Sequence, residues 1–306
     1  MELTNHCQNG DLATLQAYCI GAGVTAAQVR ASQALRVACE YGHLEVARWL
    51  QQTFQLTAAD ARTNHNYALY KSCLNGHLEV ARWLQQTFQL TVADAQMVNN
   101  GILLGTCANG YLEVAQWLQQ TFQLTATDAR ADDNRALLVA CSNGRLEVAR
   151  WLQQTFQLTA ADARASDNCA LRWACRCGHL EVARWLQQTF QLTTTDARTE
   201  NNYALRWACE KGHLKVARWL QQTFQLTAED TYAGDHYTLR YYILHAACTC
   251  GHLNVVCWLQ RTWGIPPDAL TYAIDPNSIC AAYLRGLRTL RWSPRTHADF
   301  PLHARR

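Results

Sequence analysis

Five cysteine and histidine pairs stand four residues apart along the chain: Cys39/His43, Cys73/His77, Cys175/His179, Cys209/His213 and Cys248/His252. Thiolate and imidazole are both zinc ligands, but a closed structural site takes four of them in a tetrahedron. Two per segment, on either side of a helix-breaking glycine, do not close one, and the third and fourth copies carry Tyr111 and Arg145 instead of histidine. Neither a metal nor any other cofactor is therefore expected. An imidazole beside a carboxylate, as at His43 and Glu45, is the material of a general base. Its recurrence in several copies argues for scaffolding, because catalysis needs one asymmetric constellation in one pocket. No Ser/His/Asp set, phosphate-cradling glycine loop or carboxylate pair stands out, so no enzyme is expected. Cys175/Cys177 and Cys248/Cys250 lack the Cys-x-x-Cys spacing of redox enzymes, and the second of each pair reads as a surface variant.

The elements that must carry these residues are repeated. Copies of a Gly-(His/Tyr/Arg)-Leu segment begin at Gly42, Gly76, Gly110, Gly144, Gly178, Gly212 and Gly251, with a degenerate eighth at Gly10; the spacing is 32 residues, then 34 five times, then 39. Such a period marks a solenoid, because one unit of this size cannot bury its apolar face without a neighbour. Within a unit, Ala204 to Lys211 reads as a short helix ended by Gly212, and Leu214, Ala217 and Leu220 open a second helix whose stripe Val216 and Trp219 widen. Thr57/Asp60, Thr91/Asp94, Thr125/Asp128, Thr159/Asp162, Thr193/Asp196 and Thr227/Asp230 have capping-box spacing and predict a third, very short helix. Asn66, Asn100, Asn134, Asn168 and Asn202 stand where the next first helix needs an N-cap.

Composition agrees with a folded, nearly neutral protein. The 306 residues are 49% hydrophobic with 11 Trp and 5 Pro, and 27 basic against 24 acidic side chains leave a net charge of +3. That balance gives no overall field toward nucleic acid or anionic membrane. No signal-like start and no run of 18 apolar residues appears, so an intracellular, cytoplasmic protein is expected, with the nucleus as an alternative suggested by the Arg-rich tail. Most of the 14 cysteines share one repeated position, which suits buried, reduced thiols better than bridges.

The stretches Ala38-Cys39-Glu40-Tyr41-Gly42-His43-Leu44-Glu45-Val46-Ala47-Arg48-Trp49-Leu50 and Ala208-Cys209-Glu210-Lys211-Gly212-His213-Leu214 resemble the helix-turn-helix centre of ankyrin repeats. The resemblance extends from about residue 5 to 263. The near-identical units, with their Gln-Gln-Thr-Phe-Gln-Leu linkers, are similar to the expanded ankyrin families of large DNA viruses of amoebae. The expected fold is all-α: an ankyrin-type helical solenoid of about eight units with a 34-residue period, its β-hairpin fingers replaced by a short helical turn. The family's Thr-Pro-Leu-His opening and finger glycine are missing here, so the usual finger is not expected. Residues 1–263 are assigned to the solenoid, 264–292 to a C-terminal capping helix region and 293–306 to a basic tail. An insertion at 231–243 interrupts the regular period, and Ile279 to Leu290 reads as the capping helix.

The resemblance implies a non-enzymatic scaffold that binds a protein partner through its concave face, and host cytoplasm as the location if the source is viral. Positions that agree among copies report what the stack requires; those that differ are released from that demand. The residues just before each glycine differ most, and the family places them on the groove. The candidate partner-binding set is therefore Glu40, Tyr41, Tyr70, Lys71, Asn75, Asn109, Asn143, Arg172, Trp173, Arg176, Arg206, Trp207, Glu210 and Lys211. Arg172-Trp173 and Arg206-Trp207 repeat side by side, and Trp and Arg are enriched at binding hot spots; the competing reading puts both tryptophans in the core between repeats. Glu45/Arg48 and its equivalents read as a solvated outer face, and Lys215 is expected opposite Glu181 of the preceding unit. A monomer is expected. The alternatives are a self-assembling structural protein, an adaptor for a host ubiquitin ligase, and nucleic-acid binding through Arg172, Arg206 and the tail, which the near-neutral charge disfavours.

Overall fold

A computed structural model describes residues 2–227 and 239–264, and further on 280, 282, 283 and 286. Every regular element among them is helical, as the periodicity predicts. Contacts divide the chain into two compact units, Met1–Ala170 and Leu171–Arg306.

In the first unit the repeating pair is plainest at Ala34–Glu40 and Leu44–Phe54. The first helix buries Ala34, Leu35, Val37, Ala38 and Cys39, and ends where Gly42 turns left-handed at φ 81°. His43 N–H then donates to the Ala38 carbonyl at 2.9 Å, the six-to-one bond of a Schellman cap. The second helix buries Val46, Ala47 and Leu50 and leaves Glu45 and Arg48 exposed, paired at 3.8 Å across the solvated face. Leu78–Phe88, Leu112–Phe122 and Leu146–Phe156 repeat that helix. All four end on a left-handed glutamine, Gln55, Gln89, Gln123 and Gln157, with φ between 49° and 51°. The leucine after each glutamine is buried and its N–H closes the cap; Leu56 N–H reaches the Gln51 carbonyl at 3.1 Å. A second Schellman cap per repeat thus uses glutamine where glycine is usual, a feature the sequence pattern does not announce.

The capping boxes form as read. Thr57, Thr91, Thr125 and Thr159 each exchange bonds with the aspartate three residues on, and each opens a short helix or the start of a longer one. The link from that turn to the next first helix departs from the expected N-cap. Asn64, His65 and Asn66 turn left-handed in succession (φ 52°, 58°, 58°), and Asp132, Asp133 and Asn134 do the same. Asn66 and Asn134 are thus buried links in a left-handed turn rather than extended N-caps, and the Asn66 amide donates across to Asp94 at 3.1 Å. Left-handed backbone costs a non-glycine residue roughly 1–2 kcal/mol, least for Asn and Asp, which accounts for the polar residues found there.

In the second unit Leu180–Phe190, Leu214–Phe224 and Leu253–Trp263 are the second helices. Leu171, Leu186, Leu205 and Leu220 are fully buried along its core. Trp185 meets Phe190 edge-on at 5.6 Å, and Trp219 meets Phe224 the same way, so the half-buried tryptophan of the widened stripe packs within its own helix end. Thr193/Asp196 forms its box, and Glu200, Asn201 and Asn202 make the left-handed turn. Glu181 pairs with Arg184 of its own helix at 3.2 Å while Lys215 is exposed, so the cross-repeat pair expected of Lys215 is replaced by a local one. Asp230, residues 231–238 of the insertion, most of the 264–292 region and the tail at 293–306 lie outside the described residues.

Candidate partner-binding face

The residues that read as zinc or base chemistry are occupied with stacking. His43 Nε2 lies 2.8 Å from the Gln8 carbonyl and His77 Nε2 lies 3.1 Å from that of Glu40. A carbonyl only accepts, so Nε2 carries the proton in both. Where the histidine is replaced, Arg145 Nε donates to the Ala108 carbonyl at 3.1 Å. Burial pushes the His77 imidazole below its ordinary pKa, against the opposing bond to the Glu40 carbonyl. In the second unit burial likewise lowers His213, with His179 and His252 adding to the effect. The helix-ending glycine of the preceding repeat makes room for the same contact: a methyl added at Gly178 would sit 2.7 Å from Nδ1 of His213. The repeated cysteines are buried, and burial pushes Cys107 up to about 12, which keeps its thiol protonated. Cys177 and Cys250 are exposed, as their irregular positions indicate. Among the described residues no group of three or more His, Cys, Asp or Glu is placed to hold a metal ion.

A second cross-repeat ladder has no counterpart in the sequence pattern singled out above. Arg30, Arg62 and Arg130 reach the capping-box aspartates Asp60, Asp94 and Asp162 of the following repeat at 2.8, 2.9 and 2.8 Å. Gln96 takes the same slot and donates to Asp128 at 2.7 Å. Arg62 and Arg130 each stand 32 residues before their Asp and Arg30 stands 30 before its own, a signal visible in the sequence but outweighed there by the local Thr/Asp pattern. Burial alone would raise the Asp94 carboxyl, yet bonds from Arg62 and Thr91 outweigh it and hold the group below its usual range.

The candidate groove residues fall into two groups. In the first unit, Glu40 pairs with Lys71 at 2.9 Å, and its carbonyl accepts from Asn75 at 2.7 Å. Asn109 donates to the Leu74 carbonyl and Asn143 to that of Val139, so these amides also tie down backbone. Tyr41 is 46% exposed, while Tyr70 is half-buried against Tyr67. Arg36 lies over the Tyr67 ring at 4.9 Å, and Lys71 at 5.2 Å.

In the second unit the candidates come together. Arg176 Cζ lies 4.4 Å from the Trp173 ring centre and 3.9 Å from that of Trp207. Lys211 Nζ lies 4.9 Å from Trp207 and pairs with Glu210 at 3.4 Å. Arg172 covers Tyr203 at 5.0 Å, and Arg176 Nη1 donates to the Tyr203 hydroxyl at 3.1 Å. Arg206 stands half-buried beside Trp207 in sequence. Trp173 and Trp207 are half-buried, neither core nor free: their rings are sandwiched with cations on the first-helix face. Tyr67 and Tyr203 are the residues the groove comparison missed. Each follows an arginine, Arg36 or Arg172, by the same interval, and that repetition was the available signal.

A family model described as ankyrin repeats in three copies matches residues 3–94 and 103–196. No curated protein matches the chain. Ankyrin-repeat proteins are typically non-enzymatic and mediate protein–protein interaction. Among the described residues no helix is long and apolar enough to cross a membrane. With more than half its length matched, and with its paired helices, glycine-closed turns and cross-repeat bonds, the chain belongs to the ankyrin-repeat family and is an all-α repeat solenoid.

Proposed function

We infer that this protein is a non-enzymatic scaffold that binds a protein partner through the first-helix face, with its principal contact at Arg172, Trp173, Arg176, Arg206, Trp207 and Lys211. One observation carries the reading: these residues sit at positions that differ between repeats, and Arg172, Trp173, Arg176, Trp207 and Lys211 assemble with Tyr203 into a half-exposed cation–aromatic cluster. Aromatic and arginine side chains held rigid at a surface lose little freedom on binding. Glu40, Tyr41, Tyr70, Lys71, Asn75, Asn109 and Asn143 form the corresponding surface of the first unit, with most of their polar atoms already committed. Similarity of the near-identical repeats to viral ankyrin families supports a host protein as the partner, met by a monomer in the cytoplasm.

The test is affinity capture from amoebal lysate with wild type, with a Trp173→Ala, Arg206→Glu, Trp207→Ala variant, and with Arg184→Glu on the opposite helix face, each shown by circular dichroism to be folded. A protein captured by wild type and Arg184→Glu but lost in the triple variant is the expected result. Capture that survives the triple variant overturns the reading.

A further inference from the structure

We propose that the partner presents carboxylates: the first-helix face of the second unit is a receptor for an acidic, extended peptide segment. The inference deepens the reading of that face as the partner site and rests on it. Its basis is a comparison the repeats themselves supply. Arg36, Glu40, Tyr67 and Lys71 in the first unit occupy the same repeat positions as Arg172, Arg176, Tyr203 and Trp207 in the second. In both places the arginine covers the tyrosine, at 4.9 and 5.0 Å. The other two positions carry opposite electrostatics. In the first unit they form a closed ion pair, Glu40 with Lys71 at 2.9 Å, with side chains only 23% and 21% exposed. In the second they hold a guanidinium stacked on indole, Arg176 on Trp207 at 3.9 Å. One scaffold position has thus exchanged a carboxylate for a cation, and its neighbour has exchanged the neutralising charge for a ring.

Among the described residues the result is a face that carries Arg172, Arg176, Arg206 and Lys211 with the carboxylate of Glu210, which is 18% exposed and already bonded to Lys211. Glu200 lies at the far end of that helix, in the left-handed turn. A ring holds a guanidinium without discharging it, and beyond the Nη1 bond to the Tyr203 hydroxyl the Arg176 group keeps further N–H donors, the kind that grip a carboxylate. Nucleic acid would want the same charge but also bare ring faces for its bases. Trp207 already carries the Arg176 and Lys211 cations, and Tyr203 carries Arg172. Arg172 and Arg206 lie on neighbouring first helices; packed helices stand about 8–10 Å apart, roughly three residues of an extended polyproline II chain, in which every third side chain returns to the same face. Acids at every third position of the segment match that spacing.

The experiment uses the full chain and fluorescence anisotropy, with a labelled peptide that places glutamate at every third position between serines. Its controls are the same peptide with glutamine and a labelled oligothymidylate. The glutamate peptide is expected to bind with a salt-sensitive affinity, at least about tenfold tighter than the glutamine peptide and tighter than the oligonucleotide. Arg176→Gln and Arg206→Gln are each expected to weaken it about fivefold or more, with Arg150→Gln on a second helix of the first unit unchanged. Lys211→Glu, whose side chain is 42% exposed, carries the test where circular dichroism shows either arginine variant unfolded. Equal binding of the glutamine peptide, tighter binding of the oligonucleotide, indifference to the variants, or no saturable binding at millimolar peptide each overturns the proposal. Should a captured partner be lost in the triple variant while the glutamate peptide fails, the face remains the partner site and only its acidic specificity falls.

Discussion

The cross-repeat ladder sets a quantitative expectation for Asp94. Its carboxylate accepts from Thr91 N–H at 2.7 Å, Thr91 Oγ1 at 3.1 Å, Arg62 Nε at 2.9 Å, Arg62 Nη2 at 3.1 Å and Asn66 Nδ2 at 3.1 Å. Asp94→Asn turns one acceptor oxygen into a donor that faces donors on every side, and it removes the charge. Loss of a cap costs about 1 kcal/mol. The Arg62 bonds are charge-assisted, but that side chain is 37% exposed, so screening holds their share to about 1–2 kcal/mol. The expected total is about 2–3 kcal/mol. Asp128 supplies the internal comparison, because it has the same box with Thr125 but receives neutral Gln96. A glutamine amide can turn over to accept from the new Asn, which a guanidinium cannot do. Asp128→Asn is therefore expected to cost only about 1 kcal/mol. Both residues lie in the same compact unit, so urea unfolding followed by circular dichroism compares them directly. The sign with pH follows from the depressed Asp94 carboxyl: its contribution is full above the ordinary carboxylate pKa of about 3.9 and is lost as pH falls through the lower folded value. Equal losses in the two variants, or a gap that persists once both carboxylates are protonated, would refute the role given to Arg62.

Three further outcomes are expected. Gln96→Arg completes the ladder at its one neutral rung in the first unit and should raise the urea midpoint, by up to about 1 kcal/mol of stability; no change or a decrease would mean the slot has another requirement. Gly178→Ala forces a methyl to within 2.7 Å of His213 at φ 82° and should destabilise the second unit by about 2 kcal/mol or more, with His213→Ala in the same chain restoring only the steric part, as thermal melts would show. Because burial lowers His77 and His213, protonation favours the unfolded chain: stability should hold above the ordinary histidine pKa of about 6.5 and decline as pH falls below it. His77→Gln with His213→Gln should flatten that decline, which denaturation across the weakly acidic range measures.

Much of this was legible in the sequence because repetition supplies its own controls. The period, the helix break at Gly42 and its equivalents, and the Thr/Asp boxes all arise from local rules that act within a few residues. The left-handed turn at Asn64, His65 and Asn66 was not legible, since Asn before a helix satisfies the simpler rule of the N-cap; only the cross-repeat bond from Asn66 to Asp94 selects the other conformation. The Arg62 to Asp94 pair spans 32 residues and obeys no local rule. For the groove, comparing repeats found Trp173, Arg176 and Trp207 but passed over Tyr203, whose importance lies in the cations on its ring and in the hydroxyl that receives Arg176.

The direction of the ladder bears on how such a chain can change length. Each connection sends its arginine or glutamine forward to the next aspartate and offers its own aspartate backward. Any block of 34 residues cut at that point therefore carries one half of each junction at either end. Excising 96–129 from the first unit would join Ala95 to Arg130, and Arg130 would face Asp162 as it already does. Gly76, which now receives Tyr111, would receive Arg145, as Gly110 does. Recombination between near-identical copies can thus lengthen or shorten the array while each new junction keeps both halves of its ladder bond and a glycine to receive the following side chain.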